Sequence, residues 1–71
     1  MTPWVGIAQS TLLQALAYDR AAALLEMRFH DGSVYRYLGV PAQIYNDLLK
    51  ADSKGTFFNQ RIRGQFPFAR G

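Results

Sequence analysis

The stretch LLEMRFHDGSVYRYL at residues 24–38 limits the fold more than any other part of the chain. Apolar and polar residues alternate from Leu25 through Phe29, the period of a half-buried strand. Asp31-Gly32 follows, a hairpin turn signal, and then Ser33–Leu38, rich in β-formers. Two registers compete. A two-residue loop pairs Phe29 with Val34 and Met27 with Arg36, which brings a guanidinium onto the apolar face. A three-residue loop, His30-Asp31-Gly32, sets Gly32 at the left-handed bulge position. It pairs Met27 with Tyr35, Leu25 with Tyr37 and Glu26 with Arg36. The apolar face then stays apolar and opposite charges meet on the other. A one-residue slip would invert every side chain, so the three-residue loop is the expected one.

A hairpin alone is marginal in water and needs a further strand. Residues 10–25, STLLQALAYDRAAALL, have the Ala and Leu content of a helix. The need for a partner favours a strand over 12–18 instead. Its faces would be Leu12, Gln14, Leu16 and Tyr18 on one side and Leu13, Ala15 and Ala17 on the other, with a turn at 19–23. Residues 1–9 contain Pro3 and Gly6, show no period, and read as an extended or frayed arm. Trp4, Val5 and Ile7 are its candidates for packing on the domain edge.

After Gly39-Val40-Pro41 the period changes. Pro41 suits a helix start, and Ile44, Tyr45, Leu48 and Leu49 predict an amphipathic helix over 41–50. Ser53 is a good N-cap for a second helix through Phe57, Phe58, Arg61 and Ile62, with Gly64 as its stop. Gln65-Phe66-Pro67-Phe68 runs on as an extended tail in which Phe66 and Phe68 serve as anchors. Strands followed by helices argue for α+β: a three-stranded antiparallel meander with two short helices packed on one face. One domain over 10–71 accounts for the chain, since 71 residues leave no room for a second.

The composition narrows the function. There is no cysteine, which excludes disulfides and thiolate metal sites. His30 is the only histidine and sits in the predicted turn, so neither a metal site nor a catalytic group is expected, and no cofactor. No apolar run spans a membrane and no secretory leader is visible, so the protein is expected to be soluble and cytoplasmic. Residues 1–49 carry a net charge of −1 and residues 50–71 a net of +4. The basic pole comprises Lys50, Lys54, Arg61, Arg63 and Arg70, against Asp52. Clustered cations of this kind attract phosphates.

The motifs then assemble in order: Ser10-Thr11, Tyr18-Asp19, Leu25-x-Met27-x-Phe29, Asp31-Gly32, Tyr35-Arg36-Tyr37, Gly39-Val40-Pro41, Leu48-Leu49-x-Ala51-x-Ser53-x-Gly55, Phe57-Phe58-Asn59, Ile62-Arg63 and Phe66-Pro67. The chain resembles the KTSC domain family over about residues 10–68, with Tyr35 and Tyr37 meeting that family's Tyr-x-Tyr marker. The family commonly ends in Tyr-Pro where Phe66-Pro67 stands here. The resemblance implies a small module, found alone in bacterial proteins or appended to the C-terminus of some lysyl-tRNA synthetases. That company implies a role with RNA.

The candidate nucleic-acid contacts are Lys54, Arg61 and Arg63 for phosphates, and Tyr35 and Tyr37 for base stacking. The preferred register sets both tyrosines on the core face, where a structural role competes with stacking. Ser53 and Gly55, at the start of the second helix, form a candidate anion site with Lys54. It is no P-loop, because the Gly-x-x-x-x-Gly-Lys spacing is absent. The competing reading is a helix cap with close backbone packing at Gly55. The expected function is a non-catalytic module for RNA or another polyanion. The alternative is a protein partner docked on a sheet edge or on the apolar arm around Trp4.

Overall fold

A computed structural model describes residues 4–7 and 10–71. The elements are β1 (Val5–Gly6), β2 (Leu13–Asp19), β3 (Leu24–Phe29), β4 (Val34–Leu38), α1 (Ala42–Lys50), α2 (Lys54–Phe57), a π-helical turn (Phe58–Ile62) and β5 (Phe68–Arg70). The α+β class holds, but the sheet has five antiparallel strands in the order β1-β2-β3-β4-β5, not three. β2, β3 and β4 are the expected meander. β1, from the stretch expected to be an arm, pairs Val5 with Leu16. β5, from the stretch expected to be a tail, pairs Tyr37 with Phe68 and Tyr35 with Arg70.

The β3–β4 register is the one the charges favour: Leu25 faces Tyr37, Met27 faces Tyr35 and Glu26 faces Arg36. Gly32 takes φ +89°, which only glycine adopts at low cost. The Asp31 carboxylate closes the turn by accepting from the Ser33 N–H at 2.9 Å and the Ser33 hydroxyl at 2.6 Å. These bonds, the hydroxyl's first, hold the Asp31 carboxyl below the usual carboxylate range.

The faces of β2 differ from the expectation. Leu13 lies opposite Phe29 and Ala15 opposite Arg28, so Gln14 is an extra residue in a bulge. The bulge turns Gln14 outward and brings Leu13, Leu16 and Tyr18 to one side. There they join Leu25, Met27, Tyr37, Val40, Leu48, Phe58 and Ile62 in the core.

The apolar stripe of α1 packs on this core through Ile44, Tyr45 and Leu48, whereas Leu49 is exposed. Tyr45 stacks on Tyr18 with ring centroids 4.8 Å apart. Ser53 caps α2 by accepting from the Thr56 N–H. The second helix does not continue in α form. Arg63 N–H reaches the Phe58 carbonyl at 2.8 Å, a bond five residues long, which widens the turn. That wider turn buries both Phe58 and Ile62. Gly64, at φ +78°, then redirects the chain toward β5. Among the described residues no helix is long and apolar enough to cross a membrane.

Candidate nucleic-acid interface

The π turn carries Asn59 on past the core and delivers Arg63 at its end. Both residues line an open hollow of about 300 Å³ whose other walls are Leu12, Phe29, Asp31, Ser33, Tyr35 and Phe58. The site is therefore built from the lead-in to β2, the end of β3, the β3–β4 turn, the start of β4 and the π turn with the residue that follows it. Its floor is aromatic. Phe29 meets Tyr35 and Phe58 edge-on, at centroid distances of 5.4 and 5.6 Å. Its rim is polar, with a carboxylate, a hydroxyl, a carboxamide and a guanidinium.

β5 extends the site along the sheet edge. The Arg70 guanidinium stands 5.7 Å from the centroid of the Tyr35 ring. Phe68, 56% exposed, lies 5.4 Å from both Tyr35 and Tyr37. Phe68 and Arg70 thus both flank Tyr35, the ring that also lines the hollow with Arg63. Sequence reasoning missed Arg70 as a contact; Phe68, expected as an anchor, does hold the tail by pairing with Tyr37 but keeps its ring exposed. Phe66 is the residue that packs against the core.

The expected site residues divide. Tyr35 and Arg63 come together at the hollow. Tyr37 does not join them as a stacking residue: it is 3% exposed, with Phe58 edge-on to its ring at 5.7 Å. Burial, with a lesser effect from Tyr35, pushes its phenol pKa up, and Arg63 acts in the opposite sense. Arg61 does not line the hollow, and its guanidinium stands 5.6 Å from the Phe57 centroid. Lys54 lines a different hollow of about 350 Å³ with Val5, Gly6, Ile7, Ser10, Leu49 and Asp52. Its ammonium donates to the Ala51 carbonyl at 3.1 Å.

The groups of the anion site expected at Ser53 and Gly55 are otherwise engaged. The Ser53 hydroxyl accepts from the Thr56 N–H and donates to the Thr56 hydroxyl. Gly55 faces Leu12, whose side chain a Cβ would meet at 3.6 Å, an ordinary contact. Helix capping and packing account for both residues.

His30 Nε2 donates to the Ser10 carbonyl at 2.8 Å, which fixes the proton on that nitrogen. Among the described residues no group of three or more His, Asp or Glu side chains gathers to hold a metal.

Residues 9–66 match the family described as the KTSC domain. An uncharacterized protein of Stutzerimonas stutzeri is 44% identical over 57 residues, which cover 80% of each chain. A lysine–tRNA ligase of Nostoc punctiforme is 37% identical over 60 residues, covering 84% of this chain but 11% of the ligase. The crystal structure of a KTSC domain protein from Yersinia pestis superposes with a TM-score of 0.93 at 30% identity. That match covers all of this chain and 99% of the other.

Proposed function

From the premise that this chain belongs to the KTSC domain family, we propose that it is a non-catalytic, cytoplasmic module that binds single-stranded RNA or a similar polyanion. The observation that carries this reading is the grouping of Phe68, Tyr35, Arg63 and Arg70. Exposed rings accept bases of any identity, and guanidinium groups beside them neutralise the phosphates between those bases. The contacts therefore move from Lys54, Arg61 and Arg63 to Arg63 and Arg70, with Phe68 and the rim of Tyr35 as the stacking surface. A tRNA ligase that carries a similar segment supports a nucleic-acid role.

The test is a titration with single-stranded RNA and with tRNA at two salt concentrations. Binding that weakens as salt rises is expected; no binding at low salt, or binding indifferent to salt, overturns the reading.

A second reading is a protein-interaction module. It is favoured by β5, an edge strand of three residues that carries the exposed Phe68. Failure of every nucleic acid in the same titration would turn attention to it.

A further inference from the structure

The hollow beside Tyr35 holds more polar chemistry than phosphate binding requires. A site built only for a polyanion would exclude carboxylates, yet Asp31 lines this one. Its Oδ1 is taken up by the Ser33 N–H and hydroxyl, and among the described residues Oδ2 has no hydrogen-bond partner. Asn59 stands in the same hollow, with its Oδ1 facing Arg63 Nη1 at 3.5 Å. Its amide N–H groups have no partner among the described residues, so the wall pairs an acceptor with a donor. The volume of about 300 Å³ lies at the lower end of small-ligand sites, the scale of one nucleotide rather than a strand.

We propose that this hollow receives a single guanine, with its N1–H and N2–H groups converging on the unpartnered Asp31 Oδ2 and its O6 on the Asn59 amide. This inference rests on the RNA-binding reading above and adds base selection to it. Guanine is the base whose pairing edge sets two adjacent donors beside an acceptor. Adenine and cytosine each present one amino group next to an unprotonated ring nitrogen that would face the carboxylate. Uracil has a lone N–H between two carbonyl oxygens. Each of those three leaves acceptor facing acceptor at Asp31. Phe29, Tyr35 and Phe58 supply the apolar walls, and Arg63 lies at the mouth for the adjoining phosphate.

The experiment uses the whole chain and short oligouridylates in which one central nucleotide is left as U or replaced by G, A or C. A single G should tighten binding roughly tenfold or more over the all-U strand, the scale of one well-matched base contact. A and C should give no comparable gain. Asp31→Asn keeps the Asx turn through its own side-chain oxygen, so the domain should fold. That variant should lose the preference for G and bind the all-U strand at least as tightly as the parent. Equal affinity for all four strands, or a G preference that survives Asp31→Asn, overturns base selection while the RNA-binding reading stands. Absence of binding to every strand overturns both.

Discussion

The Tyr18 hydroxyl donates to the Val40 carbonyl at 2.5 Å, joining the second strand to the segment that leads from the fourth strand into the first helix. Val40 is fully buried, and its N–H donates to the Ala23 carbonyl at 2.9 Å. One residue thereby fixes the β2–β3 turn, the sheet and the helix start. Tyr18→Phe keeps the ring stacked on Tyr45 but takes the donor from a buried carbonyl. Urea unfolding should show a loss of about 1–3 kcal/mol with an unchanged slope. A loss much below that would mean that water replaces the phenol.

Of the residues with left-handed backbone, Gly32 and Ala23 should respond to substitution in opposite directions. Gly32, at φ +89°, has nothing within 4 Å of where a Cβ would stand, so the penalty of Gly32→Ala is conformational. It should destabilise by about 1 kcal/mol. Ala23 sits at φ 52° and already bears that strain. Ala23→Gly should therefore be neutral or stabilising by about 1 kcal/mol in the same unfolding experiment. Destabilisation by Ala23→Gly would show that the flexibility gained by the unfolded chain dominates.

These turns also show what the sequence could and could not specify. The β3–β4 register was legible because a slip would have set Arg36 on the apolar face and separated it from Glu26. The faces of β2 were not legible. Leu12, Leu13, Ala15, Leu16 and Ala17 leave both phases apolar, and the bulge at Gln14 then draws Leu13 from one phase and Leu16 and Tyr18 from the other into the core. The π turn is hidden for a similar reason: Phe58 and Ile62 suit an α-helical face equally well, and only the Arg63-to-Phe58 bond distinguishes them. β5 has three residues after Pro67 and no period to read. The site inherits these gaps. Tyr35 and Arg63 were named from the sequence, but Arg70 and Phe68 reach them through β5 pairing, which no local pattern announces.

Asp31 gives the fold a small dependence on acid. Its carboxyl is held below the ordinary range by the Ser33 hydroxyl first and the Ser33 N–H second. A depressed carboxylate stabilises the fold above its unfolded value, and that contribution disappears as pH falls through the folded value. An NMR titration of the Asp31 carboxyl should therefore find its midpoint below the usual carboxylate range. Ser33→Ala should move it upward, and Asp31→Asn should flatten the acid limb of the stability profile. A normal midpoint in the parent chain would show that the turn bonds do not persist in solution.

Glu26 and Arg36 meet at 3.1 Å on the far face of the sheet, with the arginine side chain 53% exposed. An ion pair this accessible contributes little, so a double-mutant cycle should give a coupling energy below about 1 kcal/mol that shrinks with salt. Arg36 is also the proper comparison for the RNA-binding face. Arg36 lies opposite Glu26 and Ala69, one residue out of phase with Tyr35, Tyr37, Phe68 and Arg70, and therefore points to the other side of the sheet. Arg63→Gln and Arg70→Gln should each weaken RNA binding and reduce the salt slope by about 0.7, the contribution of one phosphate contact to a single strand. Phe68→Ala should weaken binding by roughly 1–3 kcal/mol, the worth of one stacked base, and leave the salt slope alone. Arg36→Gln removes the same charge yet should move affinity and slope far less. Equal effects at positions 36, 63 and 70 would mean that net charge alone attracts the strand, and the grouping around Tyr35 would then have no special part in binding.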